Sequence, residues 1–495
     1  MATIKDITTL CKAGQIQEAY ETAKADLLSS PSDIWAERAV GWALYYMIKD
    51  STDRCDIEKM VSGIEELKAL EALDTDNDAL IFDNVLFKVA EIVRNKIVPN
   101  SPSALEKLPL IFNSLKDIQF KPSKAYSFLL QGFIKNDAWA GLADFMGWWN
   151  LDNLTSEDYT PYVTQGGNKM MTLAERAYIA NAKVLLKLNN KERTEAFLPK
   201  LESLMEKHPE MMYPGYFYGK LLIALGRDKE EALKALVPFA RKKSRDFWVW
   251  QLLSEVYHDE ADMRLACLLR AVNCRTQETF LGKVRSKLVS MYLQRGQYGK
   301  ARYHADRVVD CHIANKWPLT SEMETWIHQP WMTSVAPVAK EEMDYMGITN
   351  NILCQGAEES VAIVTYIDPK SQRISLIYGH KQRTSIKLRF HVKIGAILKI
   401  HYTKDAENKI QIIHASKSSL PSDGLPYIKK VEGVIEKREG NKFAFLKGGN
   451  IKCFVSPKLV QQHNIQNAAR VHAIAALDYE KKKDQWNWAC IDIAP

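Results

Sequence analysis

The residues best suited to recognition chemistry lie in "EGNKFAFLKGGNIKCFVSP", residues 439–457. Phe443 and Phe445 are two apart, so in a strand their side chains share one face. Gly448-Gly449-Asn450 permits a tight reversal, and Phe454 on the returning strand can join them. Lys437, Arg438, Lys442 and Lys452 surround these rings. Three phenylalanines on one sheet face form either half of a small core or a platform for flat ligands, and alternation alone leaves the two equal. As a platform they would stack nucleobases without regard to sequence, each stack contributing ~1–3 kcal/mol. The cations would neutralise phosphates and make binding salt-dependent.

Linear signatures of catalysis are absent. There is no G-x-x-x-x-G-K-[ST] phosphate loop, no H-E-x-x-H and no G-x-S-x-G. "DTDNDA" (74–79) begins like a calcium loop, but Ala79 replaces the required glycine and Val85 stands where the bidentate glutamate belongs. The eight cysteines are scattered without C-x-x-C spacing and read as reduced, packing thiols. His304 and His312, eight apart, read as packing or surface residues rather than a metal pair. We expect no enzyme activity, no metal and no cofactor.

The elements that must carry these residues follow from length and charge. A chain of 495 residues exceeds one ordinary core, so two to four domains are expected. A hydrophobic content of 46% with 26% charged residues is that of a globular protein. No signal peptide and no membrane-spanning run is legible, which predicts a cytoplasmic protein with no membrane partner. The net charge of +7 is uneven: residues 351–495 carry 23 Lys and Arg against 13 Asp and Glu, and 241–307 carry 14 against 7. Residues 1–240 sum to −6. Such asymmetry suits an anionic partner or, equally, a solubilising surface.

Residues up to about 310 show helical periodicity broken at Gly, Pro, Asn and Asp. "CKAGQIQEAYETAKADLLSSP" sets Gly14, Ala19, Ala23 and Pro31 at spacings that return as Gly296, Ala301 and Ala305 in "YLQRGQYGKARYHADRVV". Weaker copies surround Gly226 and Ala232, and Ala196 and Pro209. Glycine allows the turn between two helices, and alanine lets them approach. These segments resemble tetratricopeptide repeats over 1–31 and much of 175–310, which implies an α-solenoid that docks a protein partner. Trp139, Trp148 and Trp149 read as filling a helix–helix interface.

From about 358 the hydrophobic period changes to two, with five short strands twice over, which suggests two small OB-type barrels. The second resembles a cold-shock domain. Gly433-Val434-Ile435 matches that family's G-x-V opening, Asn441–Leu446 its first ribonucleoprotein motif and Cys453–Ser456 its second. The family's tryptophan is Lys437 here, and its motif histidine is Ser456. The resemblance implies single-stranded RNA or DNA binding, with Phe443, Phe445 and Phe454 as outward-facing stacking residues. In the first barrel the same register puts Ile374 and Leu376 at the aromatic positions. Arg373, Lys387 and Arg389 are left to make a basic face, with Tyr366, in the family's tryptophan place, as its one stacking residue, so that this barrel serves either non-specific backbone contact or mere domain packing.

The expected architecture is multidomain. A tetratricopeptide-like all-α solenoid spans 1–312 (irregular in 50–160), a helical cap and linker 313–357, and OB/cold-shock-like five-stranded all-β barrels 358–416 and 429–495. The expected function is non-catalytic single-stranded nucleic-acid binding, RNA ahead of DNA. A secondary basic track is formed by Arg241, Lys242, Lys243, Arg245, Arg270, Arg275, Lys283, Arg285 and Lys287. Two other readings stand beside it: an interaction scaffold with degenerate barrels, and an RNA-sensing subunit of a larger complex such as a bacterial defence system.

Overall fold

The computed structural model describes residues 2–379, 382–388, 390–405, 408–418, 425–480 and 485–494. The chain divides into two compact units, one of residues 1–239 with 255–257 and one of residues 240–254 with 258–495. The first is helical. Side chains at its helix starts satisfy the free backbone amides: Thr3 with Asp6 in a capping box, then Asp33, Asp56, Ser101, Ser123, Thr172 and Asn190. Gly14, at φ +87°, turns the chain between helices Ile4–Lys12 and Ile16–Ser29, and Ala19 and Ala23 are wholly buried. Helix Ala79–Glu91 runs on into one π-helical turn, Ile92–Lys96. Gly132 of helix Lys124–Phe133 lies against that turn so closely that a Cβ would stand 2.8 Å from Val93.

The tryptophan-rich stretch fills space. Trp149 is fully buried, stacks on Tyr126 at 4.8 Å and exchanges two 3.1 Å hydrogen bonds with it through ring nitrogen, hydroxyl and backbone carbonyls. Trp139 packs on Phe112 and Phe133.

The second unit begins with helices, among them the pair Gly282–Gln294 and Tyr298–Ala314, turned at Gly296 with Ala301 and Ala305 buried against the seam. A following extended segment lies on this pair through the Val338 amide to Gly299 O (2.8 Å) and Lys300 Nζ to Glu341 (2.9 Å). Helix Tyr345–Cys354 then leads into two β-structures.

The first comprises β1 (Glu358–Ile367), β2 (Ile374–Tyr378), β3 (Gln382–Ile386), β4 (Ile397–Lys404) and β5 (Ile410–Lys417), ordered β3-β2-β1-β4-β5. The second comprises β6 (Ile428–Glu436), β7 (Ala444–Gly448), β8 (Ile451–Val455), β9 (Arg470–Glu480) and β10 (Gln485–Ala494), closed in the order β10-β8-β7-β6-β9. Closure comes from one parallel pairing, Cys453 opposite Trp488 and Phe454 opposite Ala489. The expectation of two barrels is therefore corrected: one is closed, and the other is an open half-barrel among the described residues. The reason lies in the third strand. Cys453 and Val455 of β8 are buried in the barrel core, whereas Gln382, Arg383 and Ser385 of β3 are polar and exposed and offer little to bury by closing.

Two glycines allow the close approach of the β6 and β7 backbones. A Cβ on Gly433 would stand 2.1 Å from Lys447 O, and one on Gly448 would stand 2.3 Å from Glu432 O. The two β-structures pack together through Ile363 and Ile377 against Tyr427, Ile428 and Leu477. The Tyr427 hydroxyl donates to Val361 O at 2.5 Å.

Candidate nucleic-acid interface

Alternation along β7 and β8 decides which residues face out. Ala444, Leu446, Cys453 and Val455 are buried in the barrel core. Phe445 and Phe454 point the other way, and Phe443 precedes β7 on the same side; Phe454 is 37% exposed. The three rings form a triangle with centroids 5.8, 5.8 and 5.9 Å apart. Lys452 Nζ sits 4.2 Å from the Phe445 centroid, a cation over a ring face. Lys452 pairs across the strands with Lys447. Lys447 turns instead to Glu436 at 3.0 Å, which holds that carboxyl below its usual range and leaves Lys452 to the groove.

These rings line a groove of about 740 Å³ with Tyr479 of β9 and Gln485, Asn487 and Trp488 of β10. The face of the second and third strands is the one that OB barrels use for oligonucleotides. Trp488 carries Lys429 Nζ 5.1 Å from its ring. Asp478 also lines the groove, and Arg383 of β3 reaches it at 2.9 Å, offsetting a carboxylate that would repel phosphate. The sequence reading did not single out Tyr479, Asn487, Trp488 or Arg383. The two-apart aromatics of "WNWACIDI" were the available signal for β10, but nothing local signals Arg383, which arrives from the other β-structure.

Of the other expected site residues, Lys442 and Arg438 are exposed at the approach to β7 without lining the groove. Lys437 is half-buried, its amide donating to Asn467 Oδ1 (2.9 Å) and its ammonium to Ile465 O (3.4 Å). It is a loop tie as much as a free cation.

The half-barrel differs by one residue from the expected register. Ile435–Leu446 and Val364–Leu376 are corresponding inward pairs. With these superposed, Arg373, Ser375 and Ser385 occupy the places of Phe443, Phe445 and Phe454. Ile374 and Leu376 are core residues. Arg373 Nη2 donates to Ser385 Oγ at 2.8 Å, so the corresponding face is polar and carries no ring triangle. Tyr366 is 46% exposed, with Lys458 Nζ 5.8 Å from its ring, and Lys387 is exposed. Arg389 lies outside the described residues.

The basic segment 241–287 divides. Arg241 Nε donates to Leu353 O (2.8 Å). Arg270 Nη1 reaches Thr349 Oγ1 (2.9 Å) and Asn350 Oδ1 (3.0 Å), so both arginines hold helix Tyr345–Cys354. Arg285 is buried, bonded to both oxygens of Glu278 (2.7 and 2.8 Å) and to His304 Nδ1 (2.9 Å). Lys243 lies 3.8 Å from Asp246, and Lys287 is half-buried. Lys242, Arg245, Arg275 and Lys283 are exposed. Three of the nine are thus committed to internal contacts, and the track is corrected to its exposed members. Among the described residues, no group of three or more His, Cys, Asp or Glu is placed to hold a metal ion, and no helix is long and apolar enough to cross a membrane.

Two family models match parts of the chain. Residues 429–493, the closed barrel with its groove, match the S1/CSD-like domain 2 of the TOTE conflict systems. Residues 212–347 match a domain of unknown function (DUF7017). No curated protein matches the chain.

Proposed function

We propose that this chain is a non-catalytic binder of single-stranded nucleic acid, RNA ahead of DNA, that holds bases on Phe443, Phe445 and Phe454 and phosphates on Lys452 and the neighbouring cations. The observation that carries this reading is the ring triangle turned outward over a groove while smaller residues fill the core beneath. The S1/CSD-like match over the same residues supports it. Rings placed this way stack bases of any identity, so affinity would come from strand length and salt rather than from sequence.

The helical part serves protein docking in this proposal. Its glycine-turned, alanine-seamed helix pairs suit a tetratricopeptide-like surface. The match to a conflict-system domain favours one second reading, that this chain senses RNA for a larger defence complex whose partner does the chemistry.

The deciding experiment is fluorescence anisotropy with a labelled single-stranded RNA of about 15 nucleotides, at low and moderate salt. The wild type should bind and weaken with salt, and a folded Phe443→Ala/Phe454→Ala variant should lose at least tenfold. Equal binding by the two proteins would sink the stacking platform.

A further inference from the structure

A second concentration of unsatisfied chemistry lies in the helical first unit, in a part of the chain whose overall charge is negative. Arg94 sits in the π-helical turn, and its guanidinium lies 4.1 Å from the Phe128 ring centroid. Lys124 Nζ approaches the same ring at 5.8 Å. Lys135 Nζ donates to Arg94 O at 3.3 Å. Arg176, Lys124 and Phe128 line one cavity of about 450 Å³, a volume within the range of small-molecule sites.

Among the described residues, none of these four cations has a carboxylate within ion-pair distance, and Arg176 Nε is buried with no hydrogen-bond partner. Two carboxylates do line the cavity. Asp158 accepts through Oδ2 alone, from Ser127 Oγ (2.9 Å), the Thr155 amide (2.8 Å) and Thr155 Oγ1 (2.9 Å), and Glu157 is exposed. Burial without a counter-charge lowers Arg94 and Arg176, and Lys135 is lowered by burial and then by these two arginines. Arg94 and Arg176 are half-buried while Lys124 and Lys135 are exposed, and half-buried like charges left unpaired cost stability, which marks the pair of arginines as a candidate ligand site. A π-helical turn carrying one of the cations fits this, since such turns recur at functional sites. Guanidinium groups suit phosphate oxygens, and the exposed Tyr162 on the cavity wall offers a ring to a base.

We propose that Lys124 and Arg176 on the cavity wall, with Arg94 and Lys135 adding positive charge from outside its lining, form a phosphate-binding site in the helical unit that takes a nucleoside polyphosphate, with Tyr162 and Phe128 beside the base. The site is independent of the barrel groove.

The test is isothermal titration calorimetry of the full chain with ATP and with inorganic pyrophosphate, in magnesium-free buffer at moderate salt. Wild type and Phe443→Ala/Phe454→Ala should bind ATP alike, and Arg94→Gln/Arg176→Gln should weaken it at least tenfold. Arg176→Gln alone, which removes like-charge repulsion without orphaning a carboxylate, should melt no lower than wild type. The proposal is overturned if wild type gives no heat with either probe, if the arginine variant binds equally, or if the phenylalanine variant abolishes ATP binding. It is overturned as well if Arg176→Gln melts well below wild type, because the cation would then serve the fold. Loss of RNA affinity in the arginine variant without any ATP binding would replace it with a strand contact.

Discussion

Phe445 and Phe454 face each other across β7 and β8 with ring centroids 5.9 Å apart, while their counterparts in the half-barrel, Ser375 and Ser385, face each other in the same register. One scaffold thus presents rings on one copy and hydroxyls on the other. The groove's chemistry depends on that exchange rather than on the strand frame.

Stability and binding should separate cleanly on β7 and β8. Leu446→Ala, which empties a fully buried site, should cost ~2–5 kcal/mol of unfolding free energy in urea. Phe454→Ala removes a part-exposed ring and should cost about 1 kcal/mol, yet weaken RNA binding by ~1–3 kcal/mol in anisotropy titrations. Equal stability losses would mean that the rings serve the core.

Lys452→Gln should lower affinity roughly uniformly across RNA sequences. It should also reduce the slope of log K against log salt by about 0.7, the share of one single-strand phosphate contact. Arg373→Gln, whose guanidinium is tied to Ser385, should leave that slope unchanged. Salt titration of both variants measures the difference.

Arg285→Ala should destabilise by about 2 kcal/mol without changing RNA affinity. A buried pair broken on one side ordinarily costs ~3–5 kcal/mol. Here Glu278 is partly exposed and has Arg307 at 3.6 Å as a substitute, which lowers the figure. Chemical denaturation and anisotropy on one preparation check both halves.

Acid should destabilise the helical part of the second unit in two steps. His304 is buried against Tyr292, and burial first, then Arg285, push its pKa down to about 3. Its native form is neutral with Nδ1 accepting from Arg285, so the unfolded chain takes up the proton first. Stability then falls as pH drops from about 6.5 towards 3. Burial would raise the Glu341 carboxyl, but hydrogen bonds from Tyr292, the Met343 amide and Lys300 outweigh it and hold it at about 2. Its contribution, present above about 4.5, is lost between there and about 2. His304→Gln should flatten the upper part of a stability-against-pH curve and leave the lower part.

Much of the groove was legible in sequence because strand period and turn chemistry are local. Phe443, Phe445 and the Gly448-Gly449 turn specify a hairpin with two rings on one side. The facing direction was not legible from alternation, because Ala444, Leu446, Cys453 and Val455 make the alternate set apolar too and the pattern reads both ways; only the cold-shock resemblance pointed the rings outward. The half-barrel slipped by one residue for a related reason: Ile374 and Leu376 are good strand residues on either face. The basic segment misled because composition counts charges and cannot see that Arg241, Arg270 and Arg285 are spent inside. Arg94 and Arg176 are brought together only by tertiary packing, so no window of sequence holds them both.

The mutual clearance at Gly433 and Gly448 has a consequence for how this barrel can vary. Each glycine leaves room for the main chain opposite, so a methyl group at either position would drive β6 and β7 apart at the turn end of the β7–β8 hairpin that bears Phe445 and Phe454. Neither position can be amended singly, and no change at one is repaired by a change at the other. The rings are open to sequence drift, but the two absent side chains that aim them are not.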